Sequence, residues 1–67
     1  MATKNYTVTG MTCQHCVNAV TEEVSAVAGI EDLNVNLADG RLSVTGEGFT
    51  DADIVAAVEE AGYKVVQ

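Results

Sequence analysis

The chain has 67 residues, 48% of them apolar, and a formal net charge of −7 at pH 7. A domain of this length buries only about 60% of the surface of its unfolded chain, so it has no room for a large substrate cleft. Its ten acids against three cations repel phosphate backbones, and we therefore expect no nucleic acid partner.

The first half of the chain predicts a strand, a helix and a second strand. Residues 6–9 alternate apolar with polar side chains and end at Gly10, as a half-buried strand does. Valines then recur at helical spacing and form one apolar stripe, made of Val17, Val20, Val24 and Val27. Gly29 stands where a helix ends in a left-handed cap. Residues 30–37 predict the second strand, with Leu33, Val35 and Leu37 on one face.

The second half predicts a hairpin, a second helix and a last strand. Asp39-Gly40 indicates a tight turn into a strand at 42–45. Thr50, followed three positions later by Asp53, is typical of a capped helix start. The buried face of that helix is predicted at Ile54, Val58 and Ala61, its end at Gly62, and the last strand at 63–66.

This order of elements predicts an α+β fold. Right-handed crossovers in both halves give a ferredoxin-like βαββαβ sandwich, with a four-stranded antiparallel sheet and both helices on one face. No linker, low-complexity tract or proline interrupts the chain, so we expect residues 1–67 to form a single domain.

The two cysteines of the chain lie together between the first strand and the first helix, in the run Gly10-Met11-Thr12-Cys13-Gln14-His15-Cys16. Unpaired N–H groups and the positive dipole end of a helix favour a thiolate over a thiol. Thiolates bind soft metals and attack disulfides, so these residues leave both chemistries open. A structural disulfide is not expected, because the loop it would close is very short and cytosolic thiols stay reduced.

This run is similar to the signature of the heavy-metal-associated domain family, in its bacterial copper chaperone type. The resemblance continues through the valine-rich helix, the Gly29-Ile30 turn and the run Glu59-Glu60-Ala61-Gly62-Tyr63. It implies that Cys13 and Cys16 bind Cu(I). It also implies a domain that works alone as a copper chaperone or is fused to a copper-transporting P-type ATPase.

The residues themselves favour a soft monovalent metal. Thiolates select Cu(I) and Ag(I) over hard cations, and two sulfurs suit a two-coordinate ion. Structural zinc takes four ligands, and counting His15 gives only three. Relatives selective for zinc, cadmium or lead often have an acid where this chain has Thr12. Hg(II) also accepts two thiolates, but mercury-binding relatives are typically exported, and residues 1–10 lack the features of a signal peptide.

Four neighbours of the cysteines are candidates for shaping the site. The resemblance implies that Met11 supports the loop from the core rather than binding metal. Thr12 directly precedes the first cysteine. His15 is expected to be exposed, either simply solvated, or hydrogen-bonded to the site, or coordinating when two copies share copper. Tyr63 is brought beside the cysteines by the predicted fold, where it either covers the core or shapes the site.

Three functions are consistent with these sequence features. The leading hypothesis is a cytoplasmic copper chaperone, not an enzyme, that passes Cu(I) by ligand exchange to a copper-transporting P-type ATPase or its metal-binding domain. It is expected to be monomeric without copper, with a copper-bridged dimer left open, and not to insert into membranes, since no apolar run approaches roughly 18 residues. The second is a regulatory domain of such an ATPase, although Met1 and the lack of linkers favour a free-standing protein. The third is a thiol-disulfide oxidoreductase, against which the absence of any proline counts.

Overall fold

Residues 2–66 are described by a computed structural model, and their elements follow the predicted order. The strands are β1 (Ala2–Thr9), β2 (Ile30–Asn36), β3 (Arg41–Gly46) and β4 (Lys64–Val66), and the helices are α1 (Gln14–Ser25) and α2 (Asp51–Glu60). The strands form one sheet in the order β2-β3-β1-β4, and every pairing is antiparallel. The ferredoxin-like βαββαβ prediction is therefore confirmed.

One apolar core joins the sheet to both helices. Val20 and Val24 of α1 and Ile54 and Val58 of α2 are fully buried, as their helical spacing predicts. Alternate residues of the central strands meet them from the sheet, since successive side chains of a strand point to opposite faces. The buried cluster consists of Val8, Val20, Val24, Leu42, Val44, Phe49, Ile54, Ala57 and Val58.

The hairpin between β2 and β3 differs from its prediction. The register pairs Asn36 with Arg41, so the turn consists of the four residues 37–40, which include Asp39 and Gly40. Gly40 has a positive φ of 71°, but Asp39 does not, because positive φ among the described residues is confined to glycines. Leu37 consequently lies in the turn, 38% exposed, and the prediction that the second strand extends to Leu37 was wrong.

The first helix ends earlier than the valine stripe predicts. Its last residue is Ser25, and Ala26 forms the C-cap in a right-handed conformation. Val27 therefore lies beyond the helix, where it still packs against the core. Gly29 has the predicted positive φ, at 91°, but it shapes the turn into β2 and is not the helix cap.

Smaller differences affect the outer elements. β1 starts at Ala2, four residues before the predicted start, because residues 2–7 all pair with β3. Ala61 is the C-cap of α2 and only partly buried, and Tyr63 lies in the loop before β4. At the other end of α2 the predicted cap is confirmed: the Asp53 N–H donates to Thr50 Oγ1 at 3.2 Å, and the Thr50 N–H donates to Asp53 Oδ2 at 3.1 Å.

Two glycines allow β2 and β3 to approach closely at the end opposite the hairpin. The Glu47 N–H donates to the Gly29 carbonyl at 2.9 Å. A Cβ on Gly29 would overlap the carbonyl oxygen of Glu47, and a Cβ on Gly46 would overlap that of Gly29. Both positions therefore need the space that only glycine leaves.

A polar cluster ties the first strand to the start of α2. The Tyr6 hydroxyl donates to Asp51 Oδ1 at 2.7 Å, and Lys4 Nζ donates to the same oxygen at 3.2 Å. These bonds, the one from Tyr6 first, lower the pKa of Asp51. Burial, followed by the hydrogen bond to Asp51, raises the pKa of Tyr6. Among residues 2–66, neither helix is long and apolar enough to cross a membrane.

Candidate metal site

The two thiols lie at the junction between β1 and α1. Cys13 is the N-cap of α1, with an extended backbone, and its carbonyl accepts hydrogen bonds from the N–H groups of Cys16 at 3.0 Å and Val17 at 3.4 Å. Its side chain makes no capping hydrogen bond. Cys16 follows in the first turn, so the helix brings the two sulfurs to 3.6 Å from each other. Cys13 is exposed and Cys16 is half-buried, so the pair can be reached from solvent.

Several donors converge on the sulfur of Cys16. The pKa of Cys16 is lowered to about 6, first by a hydrogen bond from the Tyr63 hydroxyl and then by the backbone N–H of Thr12. The backbone N–H and the thiol of Cys13 add to this effect, while desolvation opposes it. These contacts favour the thiolate of Cys16 over its thiol, and the thiolate is the form that binds soft metals.

Tyr63 reaches this sulfur from the loop between α2 and β4. In return, the hydrogen bond to Cys16 is the first of the causes that raise the pKa of Tyr63. Its ring lies beside Gly10, where a Cβ would come within 3.4 Å of the ring carbon Cδ1. Gly10 also has a positive φ of 93°. The glycine that ends β1 thus provides both the turn into the cysteine loop and the room for the tyrosine.

The other predicted neighbours take different places. Met11 is half-buried and packs against the core, so it holds the loop from below. Thr12 is exposed, and its Oγ1 lies 3.9 Å from Cys16 Sγ, at the limit of a hydrogen bond to sulfur. His15 is exposed on the first turn of α1. In the described part of the chain, no three His, Cys, Asp or Glu side chains lie close enough together to share a metal ion, so His15 does not add a third ligand to the two thiols.

The main electrostatic contact of the site lies far away in the sequence. The favourable position of the cysteines at a helix start suggested that first-turn N–H groups would favour the thiolate. Among the groups that lower the pKa of Cys16, the Tyr63 hydroxyl comes first, followed by the backbone N–H groups of Thr12, just before the N-cap, and of Cys13, the N-cap itself. The position of Tyr63 follows from the order of the strands. Because β4 pairs with the end of β1, the loop before β4 lies beside the cysteines.

Replacing Tyr63 by phenylalanine tests this contact. Without the hydroxyl, Cys16 loses the first of the groups that lower its pKa, so we expect that pKa to rise from about 6 by about one pH unit. The thiolate fraction at pH 7 then falls. The pH dependence of iodoacetamide alkylation, measured in a Cys13→Ser background so that only Cys16 reacts, gives the midpoint directly.

The matched control is Tyr6→Phe. That hydroxyl bonds Asp51 at the start of α2, so its loss should leave the alkylation midpoint of Cys16 where it was. An unchanged midpoint in Tyr63→Phe, or an equal rise in both variants, would contradict the role given to Tyr63.

Comparison with known proteins places this site in a family. The sequence model of the heavy-metal-associated domain matches residues 5–64, which include both cysteines and Tyr63. The chain belongs to the heavy-metal-associated domain family. Its domain is 38% identical to the copper chaperone CopZ of Bacillus subtilis (strain 168) over 69 residues, an alignment that covers 100% of both chains.

Longer relatives contain a similar domain as a small part of their sequence. Copper-transporting ATPase 2 of Rhizobium meliloti (strain 1021) is 42% identical over 60 residues, which is 88% of this chain but only 7% of the ATPase. Among solved structures, a CopZ metallochaperone superposes with a TM-score of 0.93 at 31% identity, covering 97% of this chain and 100% of that one. The heavy-metal-associated domain described here therefore has similar counterparts both of its own length and within much longer transporters.

Proposed function

We propose that this protein is a cytoplasmic copper chaperone that carries Cu(I) on the thiolates of Cys13 and Cys16 and is not an enzyme. The observation that carries the proposal is the pair of accessible sulfurs 3.6 Å apart, one with a pKa of about 6, at the start of α1. The similarity along its full length to a copper chaperone supports the choice of metal. Residues 1–67 would act as one domain.

The ligand set favours a monovalent soft ion. Two sulfurs without a third converging ligand fit the low coordination number of Cu(I), and they leave zinc short of the four ligands of its structural sites. Ag(I) shares the softness and the charge of Cu(I), so it would serve as a surrogate. Met11, Thr12, His15 and Tyr63 would shape the site without binding the ion in the monomer.

Transfer would proceed by exchange of thiolates. An incoming thiolate forms a bond to the copper, which briefly has three sulfur ligands, and a bond from the copper to Cys13 or Cys16 then breaks. Copper stays Cu(I) throughout, so no oxidant or reductant is needed. The second bond is exchanged in the same way, and the released thiolates take protons from solvent according to their pKa values.

The receiver would be a copper-transporting P-type ATPase, through a metal-binding domain with its own cysteine pair. The similarity of this domain to a segment of two such ATPases supports this partner. Exposed acids on both helices, Glu22, Asp51, Asp53, Glu59 and Glu60, give the protein a negative surface for docking to a basic patch.

To test this proposal, the protein is loaded with one Cu(I) and mixed anaerobically with the copper-free metal-binding domain of a copper ATPase. The two proteins are then separated, and the copper content of each is measured. We expect copper to redistribute within the mixing time, much faster than it passes to a dilute chelator. Exchange should slow as salt is raised, because screening weakens the attraction between opposite charges. Transfer no faster than release to the chelator would overturn the chaperone role, and salt-independent transfer would overturn the docking surface.

A metal-binding regulatory domain of a heavy-metal ATPase is the second candidate. It is favoured by the 42% identity to a segment of such a transporter. Both candidates need the same Cu(I) site, but only the chaperone must exchange copper with a separate partner. We expect the copper-free protein to be a monomer. In a dimer bridged by copper, the exposed His15 of each copy would be the additional ligand.

A further inference from the structure

Asp39 directly precedes Gly40 in the turn between β2 and β3, and this is the only Asp-Gly step in the whole sequence. The other aspartates precede Leu33, Ala52 and Ile54, and no asparagine precedes a glycine. The carboxyl group of an aspartate can react with the backbone nitrogen of the next residue, and a Cβ on that residue hinders the reaction. Glycine has no Cβ, so the reaction is least hindered at Asp39.

The fold requires glycine at position 40. Gly40 has a φ of 71°, and a Cβ there would lie 2.6 Å from the carbonyl oxygen of Val8. The Gly40 carbonyl in turn accepts a hydrogen bond from the Val8 N–H at 2.7 Å. A residue with a side chain would push the turn away from β1, so the shape of the hairpin keeps a reactive nitrogen directly after Asp39.

The side chain of Asp39 is held on the side of this nitrogen. Its Oδ1 accepts a hydrogen bond from the Arg41 N–H at 3.0 Å, so the side chain folds back along the main chain in an Asx turn. The Gly40 nitrogen lies between these two bonded residues, and the turn brings the carboxyl carbon Cγ of Asp39 toward it. Among residues 2–66, the Gly40 N–H donates no hydrogen bond that would hold it away from the carboxyl group.

Water has access to both reacting groups. Asp39 is exposed and Gly40 is half-buried. A cleft of about 190 Å³ adjoins the turn and is lined by Asn34, Asn36, Asp39, Arg41 and Ser43. Water leaves when an aspartate closes into a ring with the next nitrogen, and water enters when the ring opens. A turn that is open to solvent therefore suits this reaction.

We propose that Asp39 isomerises to isoaspartate in the folded protein and then becomes a substrate for an isoaspartyl methyltransferase. The Gly40 nitrogen loses its proton to solvent and forms a bond to Cγ of Asp39, from which one carboxyl oxygen leaves as water. The resulting succinimide ring then adds water. Addition at Cγ restores aspartate, whereas addition at the main-chain carbonyl breaks its bond to the Gly40 nitrogen and leaves the chain running through Cγ.

The reaction changes the turn but not the mass of the protein. One water is released and one is consumed, and nothing is oxidised or reduced. The main chain becomes one carbon longer within residues 37–40, although Asn36 and Arg41 remain paired across the hairpin. We expect the Gly40 carbonyl to shift away from the Val8 N–H, near the point where β1 leads into the cysteine loop. The inference does not depend on copper binding.

To test the proposal, the folded protein is aged at neutral pH and supplied with an isoaspartyl methyltransferase and tritiated S-adenosylmethionine. We expect methyl acceptance to rise with time. Endoproteinase Asp-N cleaves before aspartate but not before isoaspartate, so cleavage before position 39 should be lost in the aged fraction. The Val8 amide of that fraction should exchange its hydrogen about fivefold faster, as expected for a weakened hydrogen bond.

Asp32 is the control within the same chain. Its Oδ1 accepts a hydrogen bond from the Leu33 N–H at 2.9 Å, so its carboxyl group also lies close to the next nitrogen. Leu33 has a Cβ and belongs to a strand, so we expect cleavage before Asp32 to persist throughout aging.

Two variants of Asp39 test the same site by opposite effects. Asp39→Glu keeps the negative charge, but its longer side chain would have to close a larger ring, so methyl acceptance should be lost. Asp39→Asn forms the same succinimide with loss of ammonia, a better leaving group than the oxygen of a carboxylate, so its methyl acceptance should rise faster. Circular dichroism shows whether each variant is folded.

Three results would overturn the proposal. The first is the absence of methyl acceptance in the aged folded protein. If the same chain accepts methyl groups after aging in urea, the folded turn protects Asp39. The second is equal methyl acceptance in Asp39→Glu, which would place the isoaspartate elsewhere. The third is unchanged Asp-N cleavage before position 39 in protein that has accepted methyl groups.

Discussion

A variant in which Cys13 and Cys16 are both replaced by serine is expected to lose stoichiometric Cu(I) binding. Serine keeps the size of the side chain but replaces a soft sulfur by a hard oxygen, which Cu(I) disfavours. Removing a single residue that hydrogen-bonds a metal ligand lowers the metal affinity by about 10- to 100-fold. Removing both ligands should therefore lower the Cu(I) affinity by more than about 100-fold. The measurement is an anaerobic titration of the reduced protein with Cu(I) against a competing Cu(I) chelator, repeated with Zn(II).

Met11→Leu is the matched control for this experiment. Leucine has nearly the volume of methionine and preserves the packing of the loop against the core, but it has no thioether. We expect this variant to bind one Cu(I) with little change in affinity. Tight binding that survives the double serine change would exclude the two cysteines as ligands, and a large loss in Met11→Leu would make the thioether a third ligand.

Gly29→Ala should be among the most destabilising single methyl additions in the chain. The added Cβ would overlap the Glu47 carbonyl oxygen, and the residue has a φ of 91°, where side chains are strained. Overpacking costs about 1–3 kcal/mol and a left-handed conformation about 1–2 kcal/mol, so we expect the free energy of unfolding to fall by about 2–5 kcal/mol. For 67 residues the total is only about 3–10 kcal/mol. Urea denaturation followed by circular dichroism measures the change.

Gly48→Ala separates the two causes. Its φ of 80° imposes a similar backbone strain, but a Cβ there would have no heavy atom within 4 Å. The free energy of unfolding of this control should fall by only about 1–2 kcal/mol. The difference between the two variants then gives the cost of the overlap between a Cβ at position 29 and the Glu47 carbonyl oxygen. Equal losses in both variants would show that the contact between Gly29 and Glu47 relaxes freely.

The elements of the fold could be predicted because their signals are local. The spacing of Val17, Val20 and Val24 identifies the inner face of α1, and the Thr50 to Asp53 capping sequence fixes the start of α2. The place of the cysteines between a strand and a helix follows from the same patterns. These features depend on residues within a few positions of each other, which is the range over which periodicity and capping act.

The features that the sequence did not reveal depend on contacts between distant segments. Leu37 continues the alternation of β2, and only the pairing of Asn36 with Arg41 shows that the strand has already ended. Tyr63 is 47 positions from Cys16; the predicted fold places it beside the cysteines, but its hydrogen bond to the Cys16 sulfur appears only in the structure. Phe49 lies in the loop before α2 and follows no periodic pattern, yet it belongs to the buried core cluster.

The first helix begins at Cys13 without help from that side chain, and neither cysteine belongs to the buried cluster. The sulfurs therefore lie outside the apolar core that joins the sheet to the helices. On the proposed function, the protein can be emptied of copper and filled again while its valine core stays unchanged. Such a carrier is reusable: each delivery leaves behind a folded molecule ready for the next ion, and the cell need not synthesise a new one.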